Sequence, residues 1–227
     1  MILLQITDTL ITTVATPAAA PAQLNLLDLI LKGGWVMIPI GILSVIGVYI
    51  FFERYFTIRR ASKDESRLMS QVREQIIAGN LPAALSICKN SDTPIARMLQ
   101  KGLQRVGKPI KEIEGAIENV GKLEVSKLER NLSILGIIAG VAPMLGFVGT
   151  ISGVIKIFYN ISLSDNISIG LIAGGLYEKM ITSASGLIIG IIAYVGHHIL
   201  NIMVERVILK METDAIDFID LLEEPTR

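Results

Sequence analysis

The stretch NLSILGIIAGVAPMLGFVGTISGVI, Asn131–Ile155, contains no charged residue. Two further stretches share this character. Gly33–Phe52 carries no charge, and in Asn166–Val204 only Glu178 and Lys179 are formally charged. Because about 20 apolar residues are enough to cross a bilayer, each stretch predicts a transmembrane helix. The composition agrees, since 51% of the 227 residues are hydrophobic, 19% are charged and the mean hydropathy is +0.57. The sequence predicts an all-α integral membrane protein with three transmembrane helices.

The charge balance and the cysteine content exclude some classes of function. The chain has 21 Lys+Arg and 21 Asp+Glu, and no segment is a dense basic patch. A nucleic-acid-binding surface needs such a patch, so we expect no nucleic-acid partner. Cys88 is the one cysteine and has no disulfide partner within the chain. We expect a free, buried thiol.

The basic residues predict the orientation in the membrane. Glu53–Arg130 holds fifteen of the 21 Lys+Arg, whereas Ile157–Ile167 holds none. Lys and Arg favour the cytoplasmic side of the membrane, so Glu53–Arg130 and the C-terminus are expected in the cytoplasm and the N-terminus outside. A cleaved signal peptide is the competing interpretation of Met1–Ala22. That segment has no basic start, and Asp8 interrupts its apolar run.

The cytoplasmic segment shows helical periodicity with clear interruptions. A first helical pattern ends at Gly79-Asn80, a second covers Leu81–Lys89, and a third begins at Asp92-Thr93-Pro94. A fourth starts at Ile110 and meets no breaker before Arg130, which predicts one long rod continuing into the second span.

The third span is also expected to continue as a helix beyond the membrane. Apolar residues from Val204 to Leu222 recur at helical spacing. Four acidic residues are predicted on the opposite, exposed face: Glu212, Asp214, Asp217 and Asp220.

Glu178 is the residue most indicative of function. It lies about eleven residues into the third span, hence ~16 Å deep at 1.5 Å per residue. A charge there costs at least ~2.5 kcal/mol on insertion scales, and such residues usually serve an ion path or pair across a helix contact. Lys179 points about 100° away around the helix. It can pair with a neighbouring helix or subunit, or lay its stem along an apolar surface.

Hydroxyl groups cluster near the depth of Glu178. Thr182 and Ser185 share its helix face, and Ser183 lies about 140° away around the helix. Thr150 and Ser152 of the second span are roughly level with it. Any one of these hydroxyls can simply bond to its own helix. Together they can line a hydrated path.

Catalysis is not expected. Ser185 and His198 are thirteen residues apart on one continuous helix, ~20 Å along its axis, beyond hydrogen-bond reach. No Cys/His/acid cluster has metal-ligand spacing, and no glycine-rich loop follows a strand. We expect no enzyme activity, no metal and no cofactor.

Three motifs together resemble the MotA/TolQ/ExbB proton-channel family. They are VAPMLGFVGTISG at Val141–Gly153, Gly175-Leu176-Tyr177-Glu178 and Ser185-Gly186-Leu187, and the pattern of Asn80–Leu85 is also typical. Three spans and a large first cytoplasmic loop resemble the ExbB/TolQ branch.

The resemblance implies a homopentameric bundle around a single-span partner of ExbD/TolR type in the bacterial inner membrane. Such a motor uses the proton-motive force and, in the ExbB case, works through a TonB-like protein on outer-membrane transport. The family's pore-lining residues fall on Thr150, Glu178 and Ser183, with Thr182 as the alternative hydroxyl. Lys179 departs from the usual small or apolar residue. The alternatives are a TolQ-like envelope-maintenance subunit, a gliding-type motor subunit or a passive membrane scaffold.

The combined prediction divides the chain into seven segments embedded in or flanking membrane lipids. They are a periplasmic linker and interfacial helix (1–32), the first span (33–56), a cytoplasmic helical domain (57–130), the second span (131–158), a short periplasmic loop (159–166), the third span (167–200) and a cytoplasmic C-terminal helix (201–227).

Overall fold

The computed structural model describes residues 34–62, 65–163 and 169–223. The predicted linker and interfacial helix therefore lie outside the described residues. Every regular element within the described ranges is a helix, which confirms the all-α prediction. The helices are α1 (Met37–Ala61), α2 (Glu65–Ile77), α3 (Leu81–Asn90), α4 (Pro94–Leu103), α5 (Ile110–Glu129), α6 (Leu132–Ser162) and α7 (Ile169–Glu223).

Three helical segments are long and apolar enough to cross a membrane: α1, the α5–α6 segment and α7. Only 28% of the most apolar window in each is buried inside the chain. Large apolar side chains instead cover the outer surface, as Tyr49 and Phe52 do on α1. Such a surface is unfavourable in water and favourable in lipid. The chain is a multi-pass membrane protein.

The second and third spans pack through glycines. A Cβ atom on Gly186 of α7 would lie 2.5 Å from the carbonyl oxygen of Ala142 on α6. A Cβ atom on Gly146 of α6 would lie 3.1 Å from Cα of Ser183. Small residues let helix backbones approach closely in lipid, and here they do so within one chain. The paired positions run in opposite directions, so α6 and α7 are antiparallel.

Helix α1 packs against both α6 and α7. A Cβ atom on Gly47 would meet Ile138 of α6 at 3.7 Å, and one on Gly196 of α7 would meet Phe51 at 2.9 Å. The three spans therefore form one bundle.

The remaining helices form a second bundle with the C-terminal half of α7. Its core contains Val72, Cys88, Leu99 and Phe218. The starts of two helices follow the predicted signals, because Asn80 and Thr93 each accept a hydrogen bond from the backbone N–H three residues later. Cys88 is buried as predicted, and burial raises the pKa of its thiol to about 11.

Polar contacts connect this bundle to the end of α1. The buried Arg54 donates to the carbonyl oxygen of Lys127 at 3.2 Å. Lys127 and Arg97 each form a 2.6 Å ion pair with the buried carboxylate of Glu124. Arg97 also pairs with Asp92 at 2.7 Å. These contacts join α1, α4 and α5, so the bundle and the first span are held to one another.

Two sequence predictions are wrong. The rod expected from Ile110 into the second span is interrupted between α5 and α6, where Asn131 adopts a left-handed conformation with φ of 65°. Asparagine reaches this region at lower cost than most residues. Asp214, predicted on the exposed face of α7, is 1% exposed and pairs with Lys210 at 2.8 Å. Lys210 and Asp214 are four residues apart on one helix, and Asp214 is seven residues from the buried Val207. Helical spacing therefore places Asp214 beside the apolar face and not opposite to it.

Candidate functional site

The charged pair of the third span lies in the half of the bundle farther from α2–α5, about nine residues after the start of α7. Glu178 Oε1 and Lys179 Nζ are 2.7 Å apart, and their side chains are 40% and 20% exposed. Adjacent residues point about 100° apart around a helix, but the long lysine stem lets the ammonium reach back to the carboxylate. The apolar span therefore carries a neutral ion pair and not two separate charges.

The lysine reaches this position through a space left by two glycines. Its stem crosses α6 at Gly153, where a Cβ atom would lie 2.0 Å from Lys179 Cγ. Its ammonium lies by Gly34, where a Cβ atom would be 3.4 Å from Nζ and 3.6 Å from Glu178 Oε1. Gly34 has φ of 75°, a conformation that glycine adopts without strain. The pair thus lies where α7, α6 and the residues preceding α1 meet.

The hydroxyl of Thr150 links α6 to the pair. Its Oγ1 donates to the carbonyl oxygens of Gly146 and Lys179, each at 3.2 Å. The Gly146 contact is an ordinary bond to its own helix. The Lys179 contact crosses to α7, which places Thr150 level with the ion pair in one chain.

The other two predicted hydroxyls differ in exposure. Thr182 is fully buried and donates to the carbonyl oxygen of Glu178 at 3.4 Å, and its methyl group packs against Gly149. Ser183 is half-buried, and its backbone packs against Gly146. The structure gathers Thr150, Thr182 and Ser183 around the Glu178 turn. Of the two candidate hydroxyls on α7, only Ser183 keeps exposed surface in the single chain.

The histidines lie nearer the other end of the span. His197 lies by Gly136 of α6, 3.3 Å from where a Cβ atom there would be, and His198 stacks on Tyr194. No group of three His, Cys, Asp or Glu side chains that could hold a metal ion occurs among the described residues.

Sequence reasoning missed the roles of Gly34 and Gly153. In the sequence Gly153 was considered only as the last residue of the motif Val141–Gly153. The signal that could have identified it is Lys179 itself, because a long cation in a glycine-rich span needs both a counter-ion and room for its stem.

The comparisons with known proteins agree with this arrangement. Residues 90–213, more than half of the chain, match the model of the MotA/TolQ/ExbB proton channel family. An ExbB-like biopolymer transport protein of Synechocystis sp. is 28% identical over 198 residues, covering 86% of this chain and 74% of that protein. An ExbB homologue of Methanothermobacter thermautotrophicus is 26% identical over 203 residues, covering 89% and 69%. The ExbB biopolymer transport protein of Salmonella typhimurium is 26% identical over 186 residues, covering 76% and 73%. The chain therefore belongs to the MotA/TolQ/ExbB proton channel family.

Proposed function

We propose that this protein is an ExbB-like proton-channel subunit of an inner-membrane motor that couples the proton-motive force to TonB-dependent outer-membrane transport. Family membership and the ExbB relatives support the branch. The observation that carries the proposal is the carboxylate of Glu178, placed inside an apolar span and level with Thr150. An ionisable residue at membrane depth serves an ion path by default.

The chemistry of the site suits proton movement. Serine and threonine hydroxyls relay a proton through hydrogen bonds but do not store one at ordinary pH, whereas a carboxylate does. Two versions of the mechanism follow. In one, Glu178 carries the proton. In the other, Glu178 and the hydroxyls of Thr150 and Ser183 shape the site while a carboxylate on the partner's span carries it.

The proposed assembly is a homopentamer around a single-span partner of ExbD/TolR type, with a TonB-like protein receiving the work. Polar side chains remain partly exposed at one level of the bundle, namely the Glu178–Lys179 pair and Ser183. A partner helix can contact them there.

The first expected result is partner-dependent proton flux. Liposomes containing this chain together with its single-span partner should dissipate an imposed pH gradient, measured with an entrapped pH-sensitive dye. Liposomes with either protein alone serve as controls. Absence of flux in the complete complex would favour a passive scaffold. Flux together with a Pal-like lipoprotein as the coupled partner would indicate a TolQ-like subunit.

Orientation provides a second expected result. Leu163→Cys at the exposed end of α6 should react with a membrane-impermeant maleimide added outside spheroplasts. Asn90→Cys at the end of α3 should react only after the membrane is opened. The unsubstituted chain is the control, because a buried thiol with a pKa of about 11 holds almost no reactive thiolate at neutral pH. Labelling of Asn90→Cys from outside would reverse the proposed topology.

A further inference from the structure

Lys179 is held by more contacts than a lysine laid loosely along an apolar surface would make. Its stem fills the space over Gly153, where even one added carbon would overlap it at 2.0 Å from Cγ and 2.2 Å from Cδ. Its backbone carbonyl accepts the hydroxyl of Thr150 at 3.2 Å. Helix α6 therefore fixes both the backbone and the stem of this residue.

The head group of Lys179 is fixed as well. Nζ bonds to Glu178 Oε1 at 2.7 Å, and both atoms lie against Gly34. Without its partner, each charge would carry the full free-energy cost of transfer from water into an apolar medium.

We propose that Lys179 is a positioning residue: its stem, held in the space over Gly153, keeps its ammonium on Glu178 and fixes the position of that carboxylate in the resting chain. This inference rests on the proposed function and adds to it a residue that fixes the position of the Glu178 carboxylate.

The inference is tested by labelling Glu178 with dicyclohexylcarbodiimide in membranes that contain the full chain. This reagent adds to protonated carboxyl groups in apolar surroundings, and the modified residue is identified by mass spectrometry. Loss of an opposite charge within about 4–6 Å commonly changes the protonated fraction of a carboxyl group about tenfold or more. We expect Lys179→Met to be labelled at Glu178 about tenfold faster than the unsubstituted chain, and Lys179→Arg to stay close to it.

Gly153→Ala tests whether the space over Gly153 holds the Lys179 stem, and it changes no charge. The added methyl group should displace Lys179 and raise labelling of Glu178 as Lys179→Met does. Gly140→Ala on the same helix is the matched control, because a Cβ atom there has nothing within 4 Å. It should leave labelling unchanged.

A double-mutant cycle separates this effect from general disturbance of the helices. In a Lys179→Ala chain no stem remains over Gly153, so adding Gly153→Ala should change labelling no further. Slow labelling of Lys179→Met would overturn the inference. So would an equal effect of Gly153→Ala with and without the lysine stem.

Failure of the inference and failure of the proposed function give different results. Labelling measures the pairing of Glu178 whether or not the complex conducts protons. Unchanged labelling overturns the inference and leaves partner-dependent flux untouched. If the variants are labelled as expected but the complete, unsubstituted complex conducts no protons, the proposed function alone is overturned.

Discussion

Glu178→Ala is expected to abolish partner-dependent proton flux while the complex still forms. The substitution removes the carboxylate of the third span, and the neighbouring hydroxyls of Thr150 and Ser183 relay protons but do not store them. The side chain of Glu178 is 40% exposed, and among the described residues its ion pair is with its neighbour Lys179. The packing of α6 on α7 therefore does not depend on it. Flux is measured with the dye in liposomes, and complex formation by co-purification of the partner.

Glu178→Gln distinguishes the two versions of the mechanism. The amide keeps the shape and accepts hydrogen bonds but holds no exchangeable acid proton, so flux should be lost if Glu178 carries the proton. Partial flux is expected if Glu178 only shapes the site. Glu205→Ala, which removes an exposed glutamate elsewhere on α7, is the control and should conduct normally. Near-normal flux in Glu178→Ala would contradict the site assignment.

Gly186→Ala is expected to separate α6 from α7. The new Cβ atom would lie 2.5 Å from the carbonyl oxygen of Ala142 and 3.1 Å from Cα of Gly146. Both are backbone atoms, so no side-chain rotation relieves the overlap. Overpacking of this kind costs roughly 1–3 kcal/mol. The melting temperature in detergent should fall, and flux should fall with it because Thr150 would lose its contact with α7.

Gly174→Ala makes the same chemical change on the same helix and should have the opposite effect. A Cβ atom at Gly174 has nothing within 4 Å in the single chain. Replacing a glycine inside a helix by alanine stabilises it by roughly 0.5–1 kcal/mol. A melting temperature for Gly186→Ala equal to that of Gly174→Ala would contradict the close approach of the two helices.

The site could be predicted from the sequence in part. Thr150 and Glu178 were placed level by counting residues from the ends of their spans, and the Lys179 carbonyl that accepts from Thr150 confirms the level. Counting residues left two alternatives open for Lys179: an ion pair with a neighbouring helix or subunit, or a stem that lies along an apolar surface. An angle of 100° around one helix says nothing about a stem that crosses a second helix. Gly153 and Gly34 belong to other parts of the chain, so their contact with Lys179 depends on how the elements meet.

Local properties of the sequence determined the membrane class, the spans and the short helices. Transfer into lipid depends on the composition of about 20 consecutive residues, and Thr93 caps α4 through a bond only three residues long. The tertiary structure alone decided which side chains of different helices meet. The break at Asn131 and the position of the Lys179 stem over Gly153 do not follow from the periodic pattern. The physical reason is that these outcomes depend on the register of α6 against α7 and on the packing of α7 in the bundle. Contacts between residues distant in sequence set both.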